Sequence, residues 1–252
     1  MRGNGHRLRE DTLQSAPGFG ETNQALSALS PPRSLNDLEM RARALAGRSL
    51  DDLAAEHALA FAGRTGAHTK GKTGQLIERI LGATGGSAAV HDFPELAVEL
   101  KTIPVSAEQR PRESTYVCTI ALAEADRAEW DTSWVRAKLS HVLWVPIVMA
   151  DQADQAAPPR VGNPLLWKPT ADQLAVLAAD FEEIMGAIAL GGVERLTART
   201  GRWLQVRPKG ATSKDRTWAI AAEESWVTTV PRGFYLRTTF TGALLRDPKA
   251  LP

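Results

Sequence analysis

Three charged side chains, Asp92, Glu99 and Lys101, have the types and the spacing that could support hydrolysis of a phosphodiester bond. Residues 97–105 alternate in polarity and are rich in β-branched side chains, which predicts a strand. Because side chains alternate between the two faces of a strand, Glu99 and Lys101 are expected to share one face. Asp92 precedes a predicted turn at Pro94, so the chain can fold back and bring a second carboxylate to the same end.

Two carboxylates and a lysine suit magnesium-dependent chemistry. Mg²⁺ binds a few carboxylate oxygens and keeps several waters, which leaves positions for a phosphate and an attacking water. The ion stabilises the charge of the transition state and lowers the pKa of its bound water. Lys101 would hold that water, help to deprotonate it or neutralise the phosphate. Taken alone, the pattern is more typical of an ordinary strand edge that faces solvent.

Further segments of the chain, together with this strand, resemble one protein family. The segments are Lys70-Gly71, Val98-Glu-Leu-Lys-Thr-Ile-Pro-Val105, Val142-Leu-Trp-Val-Pro146, Leu204-Gln-Val-Arg-Pro-Lys209 and Pro231-Arg-Gly-Phe-Tyr-Leu236. The sequence resembles the MutH family, the strand-nicking endonucleases of methyl-directed mismatch repair, from about residue 30 to about residue 245. The run that contains Glu99 and Lys101 is the most specific part of the resemblance.

The resemblance implies an α/β fold of the restriction-endonuclease class, built around a D-x(n)-E-x-K motif. A mixed central sheet would be flanked by helices, and two lobes would surround a DNA cleft. Residues 1–29 are polar and small and lack periodicity, which predicts a mobile tail. Residues 30–252 would form a single endonuclease domain.

The resemblance also assigns site residues. Glu78 would join Asp92 and Glu99 around Mg²⁺, for which Mn²⁺ could substitute, and Lys101 would act on the water. The expected DNA contacts are Lys70, Gly71, Tyr116, Lys138, Arg207, Pro208, Lys209 and Tyr235. Tyr235 would lie against the adenine and sense its N6-methyl group. Periodicity alone equally permits Glu78 to be a surface glutamate and Tyr116 to be a half-buried strand residue.

The activity implied by the resemblance is nicking of the unmethylated strand at hemimethylated GATC sites by a monomer. A MutL homologue, signalled by MutS at a mismatch, would activate the enzyme. Two alternatives are a restriction endonuclease of the same fold and GATC specificity, and a DNA-binding module without catalytic activity. The intact set of Asp92, Glu99 and Lys101 argues against the second alternative.

Composition narrows the class of protein. The chain has 252 residues and a net charge of +1, so any DNA-binding surface must come from local segregation of charge. Residues 195–216 contain seven basic residues and one acid, and such a run is often only a solvated face.

The chain has a single cysteine, Cys118, and it lacks a secretory signal and an apolar run long enough to cross a bilayer. These features predict a cytoplasmic protein without membrane association. The histidines are scattered, so a zinc site is not expected, and His91 is expected at the surface.

Local patterns predict several elements around the strand. Ser34 and Ser49 are each followed three residues later by an acid, which predicts two helix starts. The apolar stripe of residues 171–190 predicts the longest helix. The continuous apolar run of residues 142–148 predicts a buried central strand.

Four further predictions concern the connecting segments. Residues 63–74 are rich in glycine and basic side chains, which predicts a loop. Residues 115–122 predict a strand that pairs with the active-site strand, and residues 130–141 predict a helix. Residues 193–207 predict a hairpin that turns at Thr200-Gly201.

Overall fold

The computed structural model describes residues 30–59, 69–86, 89–150, 157–197, 199–210, 212, 214–222, 225–249 and 251, and for residues 69 and 70 only the backbone. The predicted tail of residues 1–29 lies outside this range. The helices are α1 (Leu35–Ala44), α2 (Leu50–Glu56), α3 (Thr69–Leu81), α4 (Trp134–Leu139), α5 (Ala171–Ala189) and α6 (Thr238–Arg246). The strands are β1 (Glu99–Val105), β2 (Thr115–Thr119), β3 (Val142–Val148), β4 (Arg160–Val161), β5 (Leu165–Trp167), β6 (Leu204–Pro208), β7 (Thr217–Ile220), β8 (Trp226–Thr229) and β9 (Arg232–Leu236).

A mixed four-stranded sheet forms the centre of the fold. Strand β1 runs parallel to β3, with Glu99 opposite Val142 and Lys101 opposite Trp144. On its other side β3 pairs antiparallel with β4 at one end and with β5 at the other. This architecture confirms the predicted mixed α/β class and the predicted buried strand at residues 142–148.

Apolar side chains cover both faces of this sheet, because successive residues of β3 point in opposite directions. Val142 and Trp144 pack into a core formed with α5, α6 and the second sheet. Leu143 and Val145 pack into the other core, which α1, α2 and α3 complete. The two cores hold β1 between layers, so its charged residues sit on a rigid element.

The strand at residues 115–119 does not pair with β1, contrary to prediction. It pairs antiparallel with β9, which in turn pairs with β6, and these three strands form a second sheet. The physical reason lies in the free edge of β1. The Leu100 amide there donates to the side chain of Asp92, and Pro104 has no amide proton. A continuous ladder cannot form along that edge, and the returning chain meets it at the bridge between Pro111 and Val105 and through a hydrogen bond from the Arg112 amide to the Pro104 carbonyl.

The described residues of the range 193–207 also do not form the predicted hairpin. A 3₁₀ turn occupies Val193–Arg195, and the strand that follows, β6, begins at Leu204 and pairs with β9. The turn at Gly201 is present, with φ of +78°. The carboxylate of Asp180 on α5 accepts hydrogen bonds from the amides of residues 202, 203 and 204, which ties this segment to the helix.

Both predicted helix starts are confirmed, since the hydroxyls of Ser34 and Ser49 accept hydrogen bonds from amides three residues later. The longest helix, α5, spans Ala171–Ala189 as its stripe predicts. Two boundaries differ from prediction. Helix α3 already begins at Thr69, so the second half of the expected loop is helical and residues 60–68 lie outside the described range. The expected helix at residues 130–141 is a 3₁₀ turn followed by α4, because Ser133 caps a new helix start.

The described helices include none with the length and apolar character that a membrane crossing requires.

Candidate active site

Glu99 is the buried centre of the site. Strand β1 directs Glu99 and Lys101 to the same face, as predicted, and only 1% of Glu99 is exposed. Its Oε1 atom accepts hydrogen bonds from Lys101 Nζ and from Lys138 Nζ, each at 2.6 Å. Burying an unpaired carboxylate would be strongly unfavourable, and the two ammonium groups offset that cost.

Lys138 reaches Glu99 from the short helix α4. Ser133 caps this helix by accepting a hydrogen bond from the Arg136 amide. The Lys138 ammonium lies 5.1 Å from the centre of the Trp134 ring, a distance at which the ring attracts a cation. The resemblance assigned Lys138 to a DNA phosphate, and the structure places it beside the carboxylate of Glu99. Lys138 and Glu99 are separated by 39 positions in the sequence, and no local pattern predicts their pairing.

Asp92 is held at the start of β1 by its backbone and its side chain. A 3₁₀ turn at Pro94–Leu96 folds the chain back, as the predicted turn requires. The Leu100 amide then donates to Asp92 Oδ2 at 2.7 Å. The amides of Thr84 and Gly85 both donate to the Asp92 carbonyl. Burial, and next the charge of Glu99, raise the pKa of the Asp92 carboxyl, while the Leu100 hydrogen bond opposes them.

Glu78 approaches the same site from α3. It lies beside the buried stripe of that helix (Leu76, Ile77, Ile80 and Leu81) and is itself half-buried. Burial, and next the charge of Asp92, raise the pKa of the Glu78 carboxyl, and Lys101 and Lys138 oppose them. Glu78 therefore lies close enough for the charges of Asp92, Glu99, Lys101 and Lys138 to affect its pKa.

The carboxylates fit a divalent cation by the chemistry of their donor atoms. Glu99 Oε2 is buried and has no hydrogen-bond partner, while both lysines bind Oε1. A buried acceptor of this kind is costly unless a cation or a donor reaches it. In the described part of the chain, no three His, Cys, Asp or Glu side chains are already arranged as a metal centre. In this arrangement the two lysines supply the positive charge next to Glu99.

A second group of predicted residues meets on one face of the second sheet. Tyr116 on β2 and Tyr235 on β9 are cross-strand partners, and their rings meet edge to face at 5.3 Å between centres. Lys209 Nζ lies 4.6 Å from the centre of the Tyr116 ring, and the Arg207 guanidinium lies 5.9 Å from the centre of the Tyr235 ring. Arg207 also donates to the hydroxyl of Ser114. These contacts form an aromatic surface with two cations beside it.

One cleft of about 600 Å³ joins the two groups. The predicted site residues that line it are Gly71, Glu78, Lys101, Tyr116, Lys209 and Tyr235. Pro208 lies beside it at the exposed end of β6, and Lys70 lies on α3 with its side chain outside the described range. Among the described residues, the cleft therefore brings two candidate catalytic residues together with four of the expected DNA contacts, and its lining does not include Asp92, Glu99, Lys138 or Arg207.

One residue near the site, His91, differs from expectation, and the single cysteine lies near the same charged groups. His91 is half-buried instead of exposed, and its Nε2 lies 2.9 Å from the carbonyl oxygen of Ala137 on α4. Cys118 is buried on β2, and burial raises the pKa of its thiol to about 11.

Similarity to known proteins extends over most of the chain. The family described as "DNA mismatch repair enzyme MutH" matches residues 81–180. The chain is 46% identical over 220 residues to the DNA mismatch repair protein MutH of Shewanella sp. (strain W3-18-1), covering 87% of this chain and 98% of that protein. It is 47% identical to the protein of the same description from Serratia proteamaculans (strain 568), covering 85% and 93%. For the one from Klebsiella pneumoniae (strain 342), the identity is 48%, covering 86% and 93%.

Proposed function

Because this chain belongs to the MutH family of DNA mismatch repair enzymes, we propose that it is a Mg²⁺-dependent endonuclease that nicks the unmethylated strand of hemimethylated GATC sites. The proposed fold is that of the restriction endonucleases, with the central sheet and the second sheet on opposite sides of the DNA cleft. Family membership supports DNA as the substrate, and the geometry supports the location of the chemistry.

The observation that carries the proposal is the shared cleft. Glu78 and Lys101 line it on the central-sheet side, and Tyr116, Lys209 and Tyr235 line it on the second-sheet side. A duplex lying in the cleft would meet recognising side chains and reacting side chains together. This arrangement favours a sequence-dependent nuclease over a binding module that lacks chemistry.

Asp92, Glu99 and Glu78 would hold the metal ion, and Mn²⁺ could replace Mg²⁺. When bound, the ion supplies positive charge to the scissile phosphate and makes a bound water more acidic. Glu99 offers its unpaired Oε2, and the pKa values of Asp92 and Glu78 are raised first by burial and next by a neighbouring carboxylate. A dication would relieve that repulsion.

Lys101 would orient the attacking water, and its positive charge would stabilise the hydroxide formed when the water gives its proton to solvent, since its ammonium group is fixed beside Glu99. The hydroxide oxygen would form a new bond to phosphorus as the P–O3′ bond on the 5′ side of the guanine breaks, and the leaving 3′ oxygen would take a proton from solvent. Each chain carries one such set of residues, which suits cleavage of one strand by a monomer.

Recognition would come from the second sheet. Arginine can bind a guanine edge through two hydrogen bonds in the major groove, whereas lysine near a phosphate gives affinity that depends on salt. Arg207, Pro208 and Lys209 would contact the site from β6, and Lys70 and Gly71 would contact it from α3. Tyr235 would lie against the adenine, where an N6-methyl group changes the contact.

Activation would come from a MutL homologue that MutS recruits to a mismatch. The proposed setting is the cytoplasm, where the host DNA and a reducing environment suit a protein with one buried thiol.

The deciding experiment is nicking of supercoiled plasmids in Mg²⁺, with and without MutL. The substrates are GATC plasmids in the unmethylated, hemimethylated and fully methylated states, and a plasmid without GATC. We expect MutL-stimulated nicking that is confined to unmethylated strands. Linear product without MutL would instead indicate a restriction endonuclease, and no cleavage of any substrate would indicate a binding module.

A further inference from the structure

We propose that His91 is a positioning residue that fastens α4 to the loop carrying Asp92 and thereby keeps Lys138 on Glu99. The inference rests on the proposed function, because it assigns a role in building the same site. Neither the D-x(n)-E-x-K motif nor its spacing predicts a role for His91.

His91 joins two segments that are distant in sequence. Its Nε2 donates a hydrogen bond of 2.9 Å to the Ala137 carbonyl, 46 residues away. Ala137 lies in the last turn of α4, where carbonyl groups lack partners within the helix. Ser140 also donates to this oxygen through its amide and its hydroxyl. Ser140 lies just beyond the end of α4, so only the His91 contact ties the carbonyl to a different segment.

The histidine ring makes a second contact with the same helix. The ring centres of His91 and Trp134 are 5.7 Å apart with a tilt of 52°. Trp134 is also the ring beside which the Lys138 ammonium lies, at 5.1 Å. His91, Trp134 and Lys138 therefore form a continuous row of contacts that ends on Glu99.

The role follows from the position of His91 next to Asp92 in the chain. The amides of Thr84 and Gly85 fix the Asp92 carbonyl, and the Leu100 amide fixes its carboxylate. A six-residue helix such as α4 has little stability of its own and depends on such contacts for its orientation. The hydrogen bond from His91 sets the distance between the loop and α4, and so between the carboxylates and Lys138.

The test compares His91→Ala, His91→Phe and His91→Gln. Alanine removes both contacts, phenylalanine keeps a ring without a donor, and glutamine keeps a donor without a ring. We expect His91→Ala to lower the single-turnover nicking rate roughly 10- to 100-fold, the usual cost of losing a residue that supports a metal site. DNA affinity measured in Ca²⁺ should change little. Glutamine should restore most of the rate, and phenylalanine should not.

A second readout follows Lys138 directly and needs neither DNA nor metal. In protein labelled with ¹³C-lysine, the Lys138 Cε–Hε signal should be displaced by the Trp134 ring current, and Lys138→Arg assigns it. The signal should move toward the position of an exposed lysine in His91→Ala and return in His91→Gln. His57→Ala and His57→Gln, at the end of α2, are the matched controls and should leave the signal in place.

Two results would overturn the inference. One is a wild-type nicking rate in His91→Ala with a normal melting temperature. The other is an unchanged Lys138 signal in the same variant. If the wild-type protein nicked no substrate, the proposed function would fail, while the Lys138 signal would still decide whether His91 positions that lysine.

Discussion

Lys138 Nζ lies 2.6 Å from Glu99 Oε1 across a separation of 39 residues, at the same distance as the neighbouring Lys101. Two ammonium groups on one buried oxygen leave the other oxygen of Glu99 without a partner. The site thus holds positive charge beside its most buried carboxylate and keeps one acceptor available for a cation.

Replacing Lys138 tests whether it serves the chemistry or only binds DNA. Lys138→Met should lower the single-turnover nicking rate about 100-fold, because a fixed positive charge near the reacting phosphate is lost. Lys138→Arg should retain part of the rate, and Lys249→Met, an exposed lysine, is the control. If only the Kd for DNA in Ca²⁺ rose and the rate at saturation stayed normal, Lys138 would be a phosphate contact alone.

Replacing Asp92 by Asn should stabilise the metal-free protein and remove its response to metal. The pKa of Asp92 is raised by burial and by Glu99, so its charged form costs stability at neutral pH. Each 1 kcal/mol gained would raise Tm by about 2–4 °C in a chain of this size. The wild type should gain about 2.7 kcal/mol at a Ca²⁺ concentration of 100 times Kd.

Thermal melts with and without Ca²⁺ check both parts of this expectation. Asp126→Asn, which changes an exposed aspartate, should keep the wild-type response. A full Ca²⁺ response in Asp92→Asn would remove Asp92 from the proposed ligands.

Tyr235 should determine the discrimination between methylation states. Tyr235→Ala removes the ring that meets Tyr116 edge to face and should reduce the ratio of nicking rates on unmethylated and methylated strands. Tyr235→Phe keeps the ring and should preserve most of that ratio. The measurement is the nicking rate on hemimethylated duplexes of both orientations. An unchanged ratio in Tyr235→Ala would contradict the proposed role.

Asp180 should contribute to stability without touching the chemistry. Its carboxylate accepts hydrogen bonds from the Arg202 and Trp203 amides at 2.6 Å and from the Leu204 amide at 2.8 Å. Asp180→Asn puts an NH₂ group against these donors and should cost about 3 kcal/mol, since hydrogen bonds to charged groups contribute about 1.5–3 kcal/mol. Urea unfolding measures the loss, and the exposed Glu183→Gln on the same helix should change little. A loss below about 0.5 kcal/mol, the usual range for surface changes, would contradict the expectation.

The Cys118 thiol should be unreactive in the folded protein. Its pKa of about 11 keeps it neutral at pH 8, so iodoacetamide should label it only after unfolding. The folded state holds this proton more tightly than the unfolded state. The resulting stability is fully present below the ordinary pKa of 9.0 and is lost as pH rises toward 11.

Urea unfolding at several pH values from 8 to 11 checks this dependence. Cys118→Ala should lose less stability than the wild type over that interval. Equal losses in both proteins would show that other groups cause the dependence.

Local signals predicted the parts of the fold that local interactions determine. Ser34 and Ser49 cap their helices through amides three residues away, and the alternation around Glu99 correctly placed it on the same face as Lys101. Such features depend on neighbouring residues, so a single sequence contains them.

The contacts that were predicted wrongly, or not predicted, join residues that are distant in the chain. The pattern of residues 115–119 indicates a strand but contains no information about which strand it will join. Pro104 removes a donor from the edge of β1, and that signal was visible in the sequence. The pairing of Lys138 with Glu99 and the contact of His91 with Ala137 depend on how α4 packs, so no spacing rule reveals them.

The hydrogen bond from the Leu100 amide to Asp92 has a consequence for solubility. An open strand edge can recruit a strand from another molecule and begin aggregation. On this edge of β1 the Leu100 amide donates to the Asp92 carboxylate, and Pro104 has no amide proton to donate. The Pro104 carbonyl accepts a hydrogen bond from the Arg112 amide. The carboxylate proposed to bind metal therefore also hinders strand pairing at this edge of β1. Replacing Asp92 by a residue that accepts no hydrogen bond would leave an inactive protein that is also more prone to self-association, whereas asparagine would remove the charge and keep the edge closed.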